Sequence, residues 1–303
     1  MQLALIGYGE VGRILAEDLR ARDAAVIAFD LQLSHTGSAA AESMRSHARQ
    51  HGVVLVDSHG AAVRSADLVL SAVTASQAVA VAQACAAGLP RGTFFLDFNS
   101  ASPGAKLRAA EHVNAAGGRY VEGAVMTSIP PYRIKVPLLL GGPDATALLP
   151  MLNDLGFAAK VASERLGVAS ATKMCRSVMI KGLEAMVIEA FTTARHYGVE
   201  DAVIASLNET FPSIDWNRQG AYLFQRVIEH GRRRSEEVRE VAVTVREAGL
   251  EPWSAAGTAE RQAWVADLAD AGLFGTQGAA GFARSADWRI EADRILAQLR
   301  KEP

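Results

Sequence analysis

The feature that most constrains the fold lies in the first twenty residues, where three glycines separate an apolar run from an apparent helix. The stretch "LIGYGEVGRILAEDL" begins at Leu5, and its glycines Gly7, Gly9 and Gly12 fit the pattern GxGxxG. The preceding "LALI" predicts a short buried strand, and the apolar residues after the glycines recur at helical spacing. A strand, a glycine turn and a helix in this order are typical of the start of a dinucleotide-binding domain.

Each part of this turn has an expected role toward a dinucleotide. Gly7 permits the tight turn, Gly9 lets the backbone approach a pyrophosphate, and Gly12 lets the helix pack closely on the strand. The pyrophosphate then faces the free N–H groups at the helix N-terminus. The predicted cofactor-binding residues of the turn are Gly7, Tyr8, Gly9, Glu10, Val11 and Gly12. The alternative is a set of ordinary turn glycines in an α/β domain that binds no nucleotide.

Asp30 ends the next predicted strand, "AAVIAFD". A carboxylate at this position can accept hydrogen bonds from a ribose diol and repels a 2′-phosphate, so we expect NAD rather than NADP. NADP remains possible because Ser34 and His35 follow closely and could contact a phosphate.

Strand and helix patterns alternate through the first half of the chain, with strands predicted at "VVLVD", "DLVLSAV", "TFFLDF", "RYVEGAV" and "VPLLLGG". Such alternation predicts an α/β domain of Rossmann type, with a doubly wound parallel sheet covered by helices. From Ser163 onward nearly every segment is helical by spacing. We therefore expect a dinucleotide-binding domain over 1–162 and an all-α domain over 163–303. The second domain begins with a long connecting helix over 163–196.

Composition excludes several classes of function. The formal net charge of −2 gives no basic field for nucleic acid or an anionic membrane, and the 50% hydrophobic content is that of a soluble globular protein. The apolar segment 68–89 is interrupted by polar residues and fits a strand and a helix better than a membrane span. Cys85 and Cys175 lack metal-ligand spacing, and the histidines form no HExxH-like motif. We expect a cytoplasmic protein without a bound metal.

Three further stretches carry polar groups where chemistry is expected. They are "LDFNSASP", which includes Asn99 and Ser100; "VEGAVMTSIPP", which includes Met126 to Ser128; and "GVASATKMCRS", which includes Lys173 on the long helix. With the glycine turn and the helical second half, they resemble the β-hydroxyacid dehydrogenase family, which includes 3-hydroxyisobutyrate and 6-phosphogluconate dehydrogenases. The chain is most similar to an uncharacterised branch whose C-terminal portion is a domain of unknown function.

The resemblance implies an oxidoreductase that transfers a hydride between a nicotinamide cofactor and a small, acidic hydroxy acid. It also implies a homodimer. Lys173 matches the catalytic lysine and is expected to act as general acid/base; the alternative is a lysine that only covers apolar surface. Val73, Thr74, Asn99 and Ser100 are expected near the cofactor. Ser102 and Pro103 offer a second interpretation of that stretch, as a helix N-cap and first helical residue.

The substrate-binding positions depart from the family pattern. Met126, Thr127 and Ser128 stand where the family has Ser-Gly-Gly, and Arg176 and Ser177 occupy the usual asparagine positions. In the run "HGRRR" a helix cannot turn all three arginines inward, and we expect His230 and Arg233 to contact an acidic substrate. Two other functions stay open: an imine or ketone reductase on the same scaffold, and a dinucleotide-binding sensor without turnover.

Overall fold

The computed structural model of the chain describes residues 1–35, 37–276, 279, 282 and 285–300. It divides into two compact units, Met1–Met174 and Cys175–Pro303. The division falls within the long helix, while the expected domain boundary at residue 163 remains a prediction.

The first unit contains an eight-stranded sheet in the described residues, in the order β3-β2-β1-β4-β5-β6-β7-β8. The strands are β1 (Gln2–Ile6), β2 (Ala25–Phe29), β3 (Val54–Leu55), β4 (Leu68–Ser71), β5 (Phe94–Asp97), β6 (Arg119–Val125), β7 (Leu138–Gly141) and β8 (Ala159–Ser163). The strand order reverses direction beside β1, as expected for the predicted doubly wound sheet. The predicted Rossmann-type fold class is confirmed.

Helices connect these strands and cover both faces of the sheet. They are α1 (Glu10–Arg20), α2 (Ala39–His51), α3 (His59–Val63), α4 (Ala78–Ala86), α5 (Pro103–Ala115), α6 (Ile129–Tyr132) and α7 (Ala145–Asp154). One hydrophobic core, which includes Leu5, Leu70 and Leu96, lies on one side of the sheet. A second, which includes Ile6, Val69 and Phe95, lies on the other. These neighbouring residues alternate between the two cores because successive side chains of a strand point to opposite faces.

Two features of the sheet differ from the sequence expectation. β7 runs antiparallel to β6, because the link between them, residues 126–137, contains only two short helical turns instead of the longer helix of an ordinary parallel crossover. β8 was not predicted at all. Its residues "AKVAS" are only half-buried or exposed, so they carry no apolar run, and the strand forms by pairing with β7 at the sheet edge.

The long helix predicted over 163–196 is observed as α8 (Val168–Tyr197). The second unit adds α9 (Glu200–Thr210), α10 (Trp216–Glu247), α11 (Trp253–Asp270) and α12 (Trp288–Leu299). Its core is built on large aromatic residues, among them Phe191, Trp216, Phe224 and Trp288. The predicted all-helical second half is confirmed for the described residues. Among these residues, no helix combines the length and hydrophobicity needed to cross a membrane.

Candidate functional site

The glycine turn after β1 is closely packed on one side and open on the other. Gly7 has a φ of +93°, and a Cβ there would lie 2.4 Å from the carbonyl oxygen of Ala72. A Cβ on Gly12 would lie 2.1 Å from the carbonyl oxygen of Gly7. At Gly9, which caps α1 without any side-chain hydrogen bond, a Cβ would meet nothing within 4 Å. The free N–H groups at the start of α1 can thus receive an anion, as in dinucleotide-binding folds.

Asp30 lies directly beside this turn at the end of β2. Its Oδ2 accepts a hydrogen bond of 2.8 Å from the backbone N–H of Tyr8, and its Oδ1 accepts one of 2.9 Å from Gln32. The carboxylate is therefore oriented by the backbone before any ligand is present. Each oxygen keeps further acceptor capacity for a diol.

Tyr8 turns its side chain away from the cofactor turn. The ring is fully buried, and its hydroxyl lies 2.9 Å from Nδ1 of His47. Burial raises the pKa of Tyr8 to about 12. His47 Nε2 contacts Glu17 at 2.9 Å, and Glu17 in turn contacts Arg133 at 2.6 Å. Only the backbone of Tyr8 is thus placed to meet a cofactor.

Within the described part of the chain, one group of side chains could supply metal ligands. Its atoms, from Glu17, His47 and His51, lie within 4.8 Å of one another. The hydrogen bonds of His47 to Glu17 and Tyr8, together with the Arg133 guanidinium on Glu17, already account for this arrangement. A cation bound here would have to displace the hydrogen bond between His47 and Glu17, and the guanidinium of Arg133 would repel it.

Asn99 joins the ends of β4 and β5 at the carboxyl edge of the sheet. Its Oδ1 accepts a hydrogen bond of 2.7 Å from the N–H of Val73, and its Nδ2 donates one of 3.0 Å to Ser71. The neighbouring Thr74 lies on the same loop, with its hydroxyl 3.3 Å from that of Ser76. Asn99 is buried, so its amide shapes this edge, where open α/β sheets bind ligands.

Asp97, the last residue of β5, belongs to a buried polar network at the same edge of the sheet. The sequence analysis did not include this network in the site. The carboxylate of Asp97 pairs with Lys106 at 2.9 Å and accepts a hydrogen bond of 2.7 Å from Tyr120. Burial, followed by the nearby Asp97 charge, raises the pKa of Tyr120 well above its ordinary value. The sequence signal for this network was Lys106, a charged residue among the alanines of α5. The alternative role of Ser102 as N-cap, with Pro103 starting α5, is confirmed.

Lys173 lies at the start of α8, and its Nζ donates a hydrogen bond of 2.5 Å to Oγ of Ser100. Both residues belong to the first unit. The structure therefore brings the predicted catalytic lysine together with a residue predicted to lie near the nicotinamide. This contact is the central geometric observation of the site.

Glu122 on β6 holds the beginning of α8. It is fully buried, and its carboxylate accepts hydrogen bonds from the N–H of Ala169 at 3.0 Å and from the hydroxyl of Ser170 at 2.7 Å. The sequence analysis missed this residue. The available signal was one acidic residue inside the otherwise apolar strand "RYVEGAV".

The loop that carries Met126, Thr127 and Ser128 leaves β6 at the edge of the sheet, and the latter two are exposed. Further along this loop, Arg133 has a φ of +53° and bonds to both Glu17 and Asp18 of α1. A non-glycine residue rarely adopts this conformation, and the contacts with the two carboxylates help to stabilise it. Arg133, which follows the three predicted residues in the chain, thus holds this loop against α1.

The remaining predicted residues lie in the second unit. Arg176 is exposed and Ser177 is buried on α8. His230 on α10 is half-buried, and burial lowers its pKa. Arg233 is exposed and pairs with Glu237 at 2.9 Å.

The buried member of the basic run is Arg234 rather than Arg233. Arg234 contacts both carboxylate oxygens of Glu184, which is fully buried and also receives a hydrogen bond of 3.0 Å from Gln262. Arg232 pairs with Asp267 and Asp270 on the surface. The three arginines therefore point in different directions, as expected from helical spacing.

Comparisons with known proteins match both halves of the chain. Residues 2–146 match the NAD binding domain of 6-phosphogluconate dehydrogenase, and residues 194–265 match a domain of unknown function, DUF1932. A conserved hypothetical protein from Sinorhizobium meliloti is 36% identical, with 97% of this chain and 96% of that chain covered and a TM-score of 0.77. The first unit thus contains an NAD-binding domain.

Other solved structures share the same fold. A conserved protein of unknown function described as similar to 3-hydroxyacid dehydrogenases is 28% identical, with a TM-score of 0.70 over 89% of this chain and 98% of that one. The 3-hydroxyisobutyrate dehydrogenase of Mycobacterium tuberculosis is 17% identical, with a TM-score of 0.71 over 97% and 98%. An imine reductase from Myxococcus stipitatus is 18% identical, with a TM-score of 0.53 over 98% and 100%.

Proposed function

Since the chain belongs to the β-hydroxyacid dehydrogenase family, in the branch that carries a DUF1932 domain, we propose that it oxidises a small hydroxy acid with NAD. The observation that carries this proposal is the hydrogen bond between Lys173 and Ser100 at the carboxyl edge of an NAD-binding sheet. An amine at this position can exchange a proton with a substrate hydroxyl while the hydride leaves the same carbon.

The residues around the glycine turn fit a dinucleotide. The N–H groups after Gly9 would receive the pyrophosphate, and Asp30 would accept hydrogen bonds from the ribose diol. The loop ends that carry Val73, Thr74 and Ser100 would border the nicotinamide ring. When bound, the cofactor supplies the hydride acceptor, which no side chain can replace.

Lys173 takes the proton in this proposal. In the oxidation direction its neutral amine accepts the hydroxyl proton as the carbinol carbon becomes a carbonyl carbon, and in reduction it returns the proton. Ser100 orients the amine through the observed hydrogen bond. The proton and hydride together account for the two hydrogens lost by the alcohol.

The substrate is proposed to be acidic. Thr127 and Ser128 are exposed hydroxyls that can donate hydrogen bonds to a carboxylate, and the prolines that follow them give the loop a different shape from a Ser-Gly-Gly turn. Because this loop departs from the family pattern, the family's own substrates are not carried over to this chain. Substrate contacts by Met126, Arg176, Ser177, His230 and Arg233 remain predictions.

We also propose that the protein acts in the cytoplasm. Cys85 and Cys175 are both free thiols, which agrees with a reducing compartment. Burial raises the pKa of Cys85 to about 12, so this thiol is a packing residue rather than a nucleophile.

Imine or ketone reduction is a second candidate, favoured by the fold shared with imine reductases. The lysine at position 173 counts against this candidate, because related reductases on the same scaffold commonly lack it. Steady-state turnover of hydroxy acids with NAD, measured beside reduction of cyclic imines with NADH, separates the two. Cofactor binding without turnover of either class would instead identify a sensor.

Lys173→Ala tests the proposed proton carrier. We expect kcat to fall by about 10²- to 10⁴-fold with little change in the Kd for NAD, because general acid/base catalysis contributes about this much. Turnover is measured under saturating NAD, and folding is checked by thermal unfolding.

Lys160→Ala is the matched control, since Lys160 is exposed. Lys181 is unsuitable for this purpose because it is buried in an ion pair with Glu237 at 2.6 Å. Full activity of the Lys173 variant would reject the lysine mechanism.

A further inference from the structure

Glu122 is a buried charged residue to which the proposed chemistry assigns no step. It lies near the middle of β6 and is 0% exposed. A carboxylate removed from water needs hydrogen bonds to remain there as a charge. Its partners therefore indicate what the residue is for.

Both carboxylate oxygens bind the first turn of α8. Oε1 accepts the N–H of Ala169, and Oε2 accepts the hydroxyl of Ser170. The first N–H groups of a helix have no partner within the helix and carry partial positive charge. The carboxylate thus ties the start of a 30-residue helix to the sheet.

The strand next to Glu122 leaves room for this carboxylate. Gly141 on β7 is its direct partner in the antiparallel register, and a Cβ at Gly141 would lie 2.2 Å from Oε1. Any larger residue there would push the carboxylate out of its position. The sheet is therefore shaped for an acidic group at this point.

Lys173 follows Ala169 by four residues and Ser170 by three, so all three lie on the same side of α8. The lysine amine reaches Ser100, which follows β5, and β5 pairs with β6 so that Asp97 is opposite Glu122. Two adjacent strands thus hold the helix start and the amine one turn beyond it.

We propose that Glu122 is the positioning residue for Lys173. It sets the rotation and depth of the first turn of α8, which directs the amine to Ser100 and to the reacting oxygen. The proposal depends on the proposed function only for the consequence in catalysis. The anchoring itself is open to measurement in the protein without substrate.

Glu122→Gln tests the anchoring, because glutamine keeps the shape but loses the charge and presents an N–H₂ group to the helix donors. We expect amide hydrogen exchange in residues 168–174 to rise about 10- to 100-fold, as a hydrogen bond to a charged group is lost. Acetylation of Lys173 by an N-hydroxysuccinimide ester should also accelerate several-fold relative to exposed Lys160. Both are measured by mass spectrometry of peptides.

Three companion variants keep the test informative. Glu111→Gln removes an exposed carboxylate from α5 and should leave both rates unchanged. Ser170→Ala removes one of the two contacts of Glu122 with α8 and should increase both rates by less. This variant provides the test if the glutamine variant does not fold. Gly141→Ala should reproduce the effect of Glu122→Gln by displacing the carboxylate.

Kinetic measurements distinguish a positioning role of Glu122 from a purely structural one. Glu122→Gln should lower kcat about tenfold or more with the KM for NAD within about twofold, and in a Lys173→Ala background it should lower kcat no further. A purely structural role would lower thermal stability in both backgrounds with kcat per folded enzyme unchanged.

Unchanged hydrogen exchange and acetylation in Glu122→Gln would overturn the proposal, as would an equal loss of kcat in both backgrounds. If the wild-type protein turns over no hydroxy acid while both rates rise as expected, the proposed function fails and the anchoring stands.

Discussion

Asp30 is held in place by two backbone N–H groups, so its carboxylate presents fixed acceptors beside the glycine turn. This preorganisation matters for affinity because ordering a charged side chain on binding would otherwise cost free energy. At the scale of single residues, the predicted preference for NAD over NADP thus rests on one oriented charge.

Asp30→Asn should weaken NAD binding about tenfold, because hydrogen bonds to a charged acceptor are replaced by weaker ones. It should also narrow the difference between NAD and NADP, since a 2′-phosphate would no longer meet a negative charge. Fluorescence titration of both cofactors measures this, with the exposed Asp154→Asn as control. Tighter binding of NADP than of NAD by the wild-type protein would contradict the assignment.

At the scale of elements, α10 shows how one basic run separates into different environments. Arg233 extends into solvent beside Glu237, while Arg234 is buried against Glu184. A buried carboxylate that loses its partner remains uncompensated, whereas an exposed pair contributes little. The two arginines should therefore differ sharply in their effect on stability.

Arg234→Ala should lower the free energy of unfolding by about 3 kcal/mol, because Glu184 keeps only weaker partners in Arg226 and Gln262. Arg233→Ala should change it by less than about 0.5 kcal/mol. Urea denaturation followed by circular dichroism compares them. If Arg233 binds an acidic substrate as predicted, the Arg233→Ala variant should have a higher KM for that substrate. An unchanged KM would leave Arg233 with no role beyond its ion pair with Glu237.

At the scale of the whole molecule, several large apolar side chains of the second unit are exposed. Met179 and Met186 on α8 are 71% and 60% exposed and lie two turns apart on one side of the helix. Tyr222 and Trp253 add further apolar surface, with Trp253 82% exposed. Exposed apolar surface of this kind is typical of an interface between subunits.

We therefore expect a homodimer, as the family resemblance implies. Light scattering at micromolar concentration should give about twice the 32.1 kDa of one chain. Met179→Asp combined with Met186→Asp should shift the population toward monomer, because burying two charges at an apolar interface is unfavourable. Asp substitution at the exposed Ala87, in the first unit, is the control. A wild-type monomer at this concentration would refute the prediction.

Local pattern in the sequence was enough to predict much of this protein. The GxGxxG turn, the alternating strands and helices of the first half and the long helix were readable from the sequence because each depends on periodicity and turn residues within a short window. The placement of Lys173 on the long helix and of Asp30 at a strand end followed from the same patterns. The proximity of Lys173 to Ser100, in contrast, was implied only by the family resemblance.

Only the tertiary structure decided which distant residues meet. The strand β8, the antiparallel direction of β7 and the burial of Arg234 instead of Arg233 all depend on contacts between separate elements of the fold. The Asp97–Lys106 pair likewise depends on how the end of β5 packs against α5. Glu122 illustrates the reason most clearly. In the sequence it is one acidic residue in an apolar strand, and its role follows only from its contact with α8 and from the space left by Gly141. Sequence periodicity records which side of an element is apolar, whereas the partner of a buried charge is determined by packing.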